Sequence, residues 1–202
     1  MMMIEKIISD IDEKQDEILS NLDTESVAVY IFLKKEFDKG NILNNLIFQF
    51  VFRSFYRLDN AGLSDNLKKR FFKLLAEKQT KLDIILSELY EIPTLKKYNS
   101  IQFSFATKLL HTIDNDKPIF DRYVIFLIKK KVTGHNKNEK IQSCIEIYNS
   151  LVTLNDELKK NDKIRNVILK FRTKFKVSNE EMSDTKVLDS IMWSLGKLQS
   201  NT

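Results

Sequence analysis

An all-α domain of about eight to ten helices is the fold this 202-residue chain predicts, and three observations carry that expectation. Only four glycines and two prolines are present, too few for the many tight turns of a sandwich or barrel. Apolar residues recur every three or four positions, and no segment sustains the alternation of a half-buried strand. A hydrophobic share of 43% with 14 Phe supplies enough apolar surface to offset the entropy of ordering the chain. The length suits a single domain over residues 1–202, with two helical lobes around a groove as one arrangement of it.

Ile4, Ile7, Ile8, Ile11, Ile18 and Leu19 mark the inner face of a first helix over residues 3–21, whose outer face carries Asp10, Asp12, Glu13, Asp16 and Glu17. Asp23 or Thr24 caps a second helix, bearing Val27, Tyr30, Ile31, Leu33 and Phe37, that stops at Gly40. Asn41 caps a third. Its apolar residues Ile42, Leu46, Ile47, Phe50, Val51, Phe55 and Leu58 wrap most of the circumference, which predicts a central helix contacted from several sides and ended by Gly62.

Ser64 caps the next helix, with Leu67, Phe71, Leu74 and Leu75 inward and Lys68, Lys69, Arg70 and Lys73 toward water. Further helices are expected over 82–90 (closed by Pro93), 101–113, 121–131, 138–153, 157–175 and 184–198. Ser183 caps the last, whose Val187, Leu188, Ile191, Met192, Trp193 and Leu195 read as core. Residues 133–137 read as an exposed basic loop, and all six Gly and Pro stand at or near breaks in the helical pattern.

No apolar run approaches the ~18 to 20 residues a membrane span requires, so no membrane partner is expected. The acid-rich N-terminus resembles neither a signal nor a transit peptide, and a cytoplasmic protein is expected. Cys144 has no second cysteine to pair with and reads as a buried thiol on an apolar helix face. With one Cys and two His there is no Cys/His zinc set, and neither metal nor cofactor is expected. No glycine-rich phosphate loop, His-Glu-x-x-His motif or Gly-x-Ser-x-Gly elbow is present.

The net charge of +5 is unevenly placed. Residues 93–176 hold 18 basic and 8 acidic side chains, against 13 and 16 in residues 1–92 and 2 and 4 in residues 177–202. A basic part of this kind attracts phosphate backbones through counterion release, although a Lys-rich solvated face accounts for it equally well. The cluster Lys159, Lys160, Lys163, Arg165, Lys170, Arg172, Lys174 and Lys176 belongs to it and covers several helical faces.

The most distinctive local sequence spans residues 99–124. A helix carrying Ser104 and Lys108 leads through a short polar break to Lys117-Pro118-Ile119-Phe120-Asp121-Arg122-Tyr123-Val124. Pro118 disfavours helix at Lys117, so the first helix ends before it, and Asp121 then stands at an N-cap of the second. This segment resembles that of the helix-hairpin-helix DNA glycosylase superfamily, including its 8-oxoguanine glycosylase branch, where a DNA-gripping hairpin and helix lead to Pro-Ile/Val-x-Asp. The resemblance implies an all-α fold of about this size, DNA as partner, and Asp121 as the catalytic carboxylate.

It further implies phosphate contacts from Ser100, Gln102 and Ser104 and positive potential from Lys108, Lys129 and Lys130. Arg122 is a further candidate for nucleic-acid binding, and whether Arg122 and Tyr123 line a groove is left open by the sequence. Where the family hairpin carries glycines this chain has Ser100-Ile101-Gln102. The position of the lysine used by bifunctional relatives falls near Gln102 or Phe103, so the resemblance implies base excision without lyase chemistry. Beside that reading stand an ordinary helix cap for Asp121 and a structural role for His111. Tyr98, Phe103 and Phe105 divide between core and base stacking. Two other functions remain open: a non-catalytic nucleic-acid-binding module, and a helical interaction protein that meets partners or a second copy of itself.

Overall fold

A computed structural model of the chain describes residues 2–200. Every regular element among them is helical: α1 (Met2–Glu13), α2 (Gln15–Ser20), α3 (Thr24–Asp38), α4 (Leu46–Phe55), α5 (Asp65–Ala76), α6 (Leu82–Tyr90), α7 (Phe103–Ile113), α8 (Arg122–Ile128), α9 (Lys137–Lys160), α10 (Asp162–Phe175) and α11 (Asp184–Ser200), with a 3-10 turn at Asp59–Ala61. No helix among the described residues is long and apolar enough to cross a membrane. The chain forms two units: one from Met1–Val27, Asn115–Lys131 and Ile147–Thr202, the other from Ala28–Asp114 and Val132–Glu146.

The second unit is built on aromatic packing. Phe48 and Phe52 of α4 meet Phe71 and Phe72 of α5, with ring centroids 5.5 Å apart for Phe52 and Phe71 and 5.7 Å for Phe52 and Phe72. Ser64 accepts from Leu67 N and caps α5 as expected, and α6 spans the expected residues. The third helix departs from expectation. It starts at Leu46, capped by the Asn45 side chain, because Asn41 takes left-handed backbone (φ 60°) that cannot begin a helix. It is not central either, since Leu46, Ile47 and Phe50 point to solvent.

In the first unit the central role belongs to α11, which buries Val187, Leu188, Ile191, Met192 and Leu195 together with Thr185, Lys186, Asp189, Ser194 and Gly196. The inward Lys186 and Asp189 pair with each other at 2.5 Å, as buried charges must. Trp193, expected in the core, is only half-buried. Gly196, expected at a break, lies inside α11, where a Cβ would stand 2.5 Å from the Tyr123 carbonyl oxygen of α8. Only glycine admits that approach.

Two further boundaries differ from expectation. The first helix breaks at Lys14, where the Gln15 side chain donates to the Asp12 carbonyl. Conversely, the expected gap at residues 154–156 is continuous helix, because Asn155 is buried and accepts from Thr185 of α11. The break falls at Asn161 instead, whose side chain caps α10.

Candidate nucleic-acid interface

Ile119 and Phe120, each 3% exposed, anchor the loop that delivers Asp121 to the head of α8. Asp121 has extended backbone (φ −126°, ψ 178°), and its Oδ1 accepts from Tyr123 N at 2.9 Å and Val124 N at 3.0 Å. The side chain is thus an N-cap, half-buried, with its rotamer fixed by two backbone donors. Next to it, the Arg122 guanidinium lies 4.4 Å from the Tyr123 ring centroid and donates to the Tyr123 hydroxyl.

Tyr123 meets Trp193 edge to face at 5.3 Å, and the Lys197 ammonium sits 5.1 Å over the Trp193 ring. The result is a cation, two rings and a second cation, in which neither Arg122 nor Lys197 has an acidic partner among the described residues. Sequence reasoning reached Arg122 and Tyr123 but missed Trp193 and Lys197. Their four-residue spacing on the last helix was a signal, but it became readable only once Gly196 was known to seat α8 there.

No protein-family model, no curated protein and no solved structure matches this chain. The resemblance of residues 99–124 therefore rests on the sequence of those residues alone.

The hairpin-like segment divides between the two units after Asp114. Asp121, Arg122, Lys129 and Lys130 belong to the first unit, and Ser100, Gln102, Ser104 and Lys108 to the second. Within the first, Lys129 and Lys130 are exposed at the other end of α8, about 10 Å along the axis from Asp121. Lys129 takes left-handed backbone (φ 52°) and ends the helix at Ile128, short of the expected Lys131.

In the second unit, Gln102 is buried and its Nε2 donates to Ser100 Oγ at 2.7 Å and to Ser100 O at 3.2 Å. The pair therefore holds its own loop. Ser104 is half-buried, and its carbonyl accepts from Thr107. Lys108 donates to the Tyr56 carbonyl at 3.4 Å, with its ammonium 4.9 Å over Phe105 and 5.7 Å over Tyr56. His111 is fully buried against the Tyr30 hydroxyl at 3.0 Å and is structural. Phe103 is core, and Tyr98 is exposed. Burial pushes the Cys144 thiol up to about 12, so it is neither nucleophile nor ready ligand at neutral pH.

Much of the basic segment is engaged inside the first unit. Lys163 pairs with Asp12 at 2.6 Å, Lys170 donates to Gln15, and Lys174 donates to the Leu19 carbonyl at the C-terminus of α2. Arg172 binds Asp184, Asn179 Oδ1 and the carbonyls of Ser178 and Met182, clamping the loop before α11. Lys163, Lys170 and Lys174, three of the cations that the sequence offers to a phosphate backbone, thus tie α10 to the acidic α1 and to α2. A surface depression of about 570 Å³ in the second unit, lined in part by Thr133, Glu139, Ser143 and Glu146, carries acids and no cation.

Proposed function

We propose that this chain is a cytoplasmic DNA-binding protein, divergent within the helix-hairpin-helix glycosylase type, that excises a base by hydrolysis using Asp121. What supports the reading is one juxtaposition: a half-buried carboxylate of fixed rotamer at the head of α8, beside the Arg122–Tyr123–Trp193–Lys197 ladder. Rings supply stacking surface for an unpaired base and the cations attract phosphate, the combination that single-stranded and extruded nucleotides require. As the N-glycosidic bond breaks, its electron pair leaves with the base and positive charge develops on the sugar. The Asp121 carboxylate stabilises that charge, water adds its oxygen to the sugar carbon, and the departing base takes up a proton. Lyase chemistry is not part of the proposal, because Gln102 and Phe103 stand where the family lysine would be.

A second reading, DNA binding without catalysis, is favoured by one observation: the Asp121 side chain already caps its own helix. Asp121→Asn separates the two. Asn caps helices as well as Asp, so the fold persists while the negative charge is lost. The excision reading expects abasic sites in damaged duplex with the native chain and none with Asp121→Asn. Unchanged activity removes Asp121 from the chemistry, and binding without abasic sites in either protein leaves the non-catalytic reading. Retention on DNA that does not weaken between about 50 and 200 mM salt counts against both.

A further inference from the structure

Leu43, Leu46, Ile47 and Phe50 are 50%, 73%, 70% and 62% exposed, and they fall at i, i+3, i+4 and i+7 along α4 and the turn that leads into it. The opposite face of α4 buries Phe48 and Phe52 completely. A helix that is apolar on both sides is normally covered on both sides, and in α4 only the inner face is. The four exposed side chains amount to roughly 400–500 Å² of apolar surface, at ~150–200 Å² for a large apolar residue. A standard homodimer interface takes about 800 Å² from each copy, some two-thirds of it apolar. The stripe alone supplies nearly that apolar share.

We infer that this face is the two-fold interface of a homodimer in which α4 packs antiparallel to α4 of a second copy. The stripe is self-complementary about the point between Leu46 and Ile47: antiparallel pairing sets Leu43 against Phe50 of the second copy and Leu46 against its Ile47. An isologous contact demands that reciprocity. Electrostatics select the same orientation. Arg57 lies past the C-terminal end of α4, exposed and without an acidic partner among the described residues. Antiparallel packing carries the two Arg57 side chains to opposite ends of the interface, where parallel packing would set them side by side, and it opposes the two helix dipoles.

Sedimentation of the full chain over a wide concentration range tests this, independently of any nucleic-acid activity. The expected species has twice the 23.8 kDa chain mass. Ile47→Asp, at a solvent-facing position that leaves helix content unchanged, raises the dissociation constant by about thirtyfold or more and lowers the thermal midpoint only at concentrations where the native chain is dimeric. Mixing Leu43→Cys and Phe50→Cys chains gives more disulfide-linked dimer than either alone, the native Cys144 being fully buried. A native chain that stays monomeric at the highest concentration reached overturns the inference, as does a dimer indifferent to Ile47→Asp. Equal cross-linking in all three samples overturns the antiparallel register.

Discussion

At Gly196 an added methyl group would meet the Tyr123 carbonyl oxygen at 2.5 Å and its carbonyl carbon at 2.9 Å, both backbone atoms of α8 that have no rotamer through which to yield. Alanine at a mid-helix glycine gains up to about 1 kcal/mol of helix propensity, and overpacking costs about 1–3 kcal/mol. Gly196→Ala is therefore expected to destabilise the chain by a net of up to ~2 kcal/mol, read as a lower urea midpoint at unchanged slope. It also displaces Tyr123 from Trp193, so tryptophan emission shifts. A gain in stability would show that α8 is free to move off α11. The sequence marks this glycine as a helix break because a close approach is visible only when the approaching partner is known. Asp121 is the contrary case: the constraint of Pro118 on Lys117 and the acid at position 121 are local, and the cap was legible from them.

The corner between α4 and α5 shows an element boundary fixed by charge. Asp59, in the 3-10 turn, pairs with Arg53 of α4 at 3.1 Å and Lys68 of α5 at 3.0 Å. Partial burial of Asp59 raises its carboxyl pKa, but the hydrogen bonds from Lys68 and Arg53 outweigh this and hold it below the ordinary carboxylate range. A depressed folded-state pKa means that this contribution is complete above the unfolded value and is lost as pH falls through the folded one. Hydrogen bonds that the Lys68 ammonium donates to Asp59 and Asp65 raise its pKa, and its contribution holds below the unfolded value and is lost as pH rises through the folded one. With Asp59 44% exposed, solvent screening keeps the total near ~0.5–1 kcal/mol. The urea midpoint of Asp59→Asn is expected to lie below that of the native chain at neutral pH and to converge with it in acid. A gap that persists in acid would mean packing, not charge, fixes the corner. Elements with side-chain caps at their starts, such as α5 and α11, were legible in the sequence. The start of α4 and the continuity of α9 were not, because a left-handed Asn41 and a buried Asn155 satisfied by Thr185 are settled by tertiary contacts.

Over the whole chain, the all-α class follows from composition and periodicity, but the division into units does not, since each unit draws on separated segments. The same distance in sequence hid the meaning of the charge asymmetry: the basic α10 and the acidic α1 look like separate patches until Lys163 is seen on Asp12. The division has an energetic consequence that can be measured. Val187, Leu188, Ile191, Met192 and Leu195 of α11 are each at most 2% exposed, and at about 1.5–3 kcal/mol apiece their burial is worth on the order of 10 kcal/mol. That equals the entire net stability of an ordinary domain, about 5–15 kcal/mol. A chain ending at residue 183 is therefore expected to lose the first unit, while the second, to which α11 contributes no residue, keeps its Phe48, Phe52, Phe71 and Phe72 core. Amide exchange reads this by region: protection should vanish over α1, α2, α8 and α10 and persist over α4 to α7. Uniform loss would show that the two units fold as one cooperative body. Uniform retention would show that α11 is dispensable to the unit whose centre it occupies.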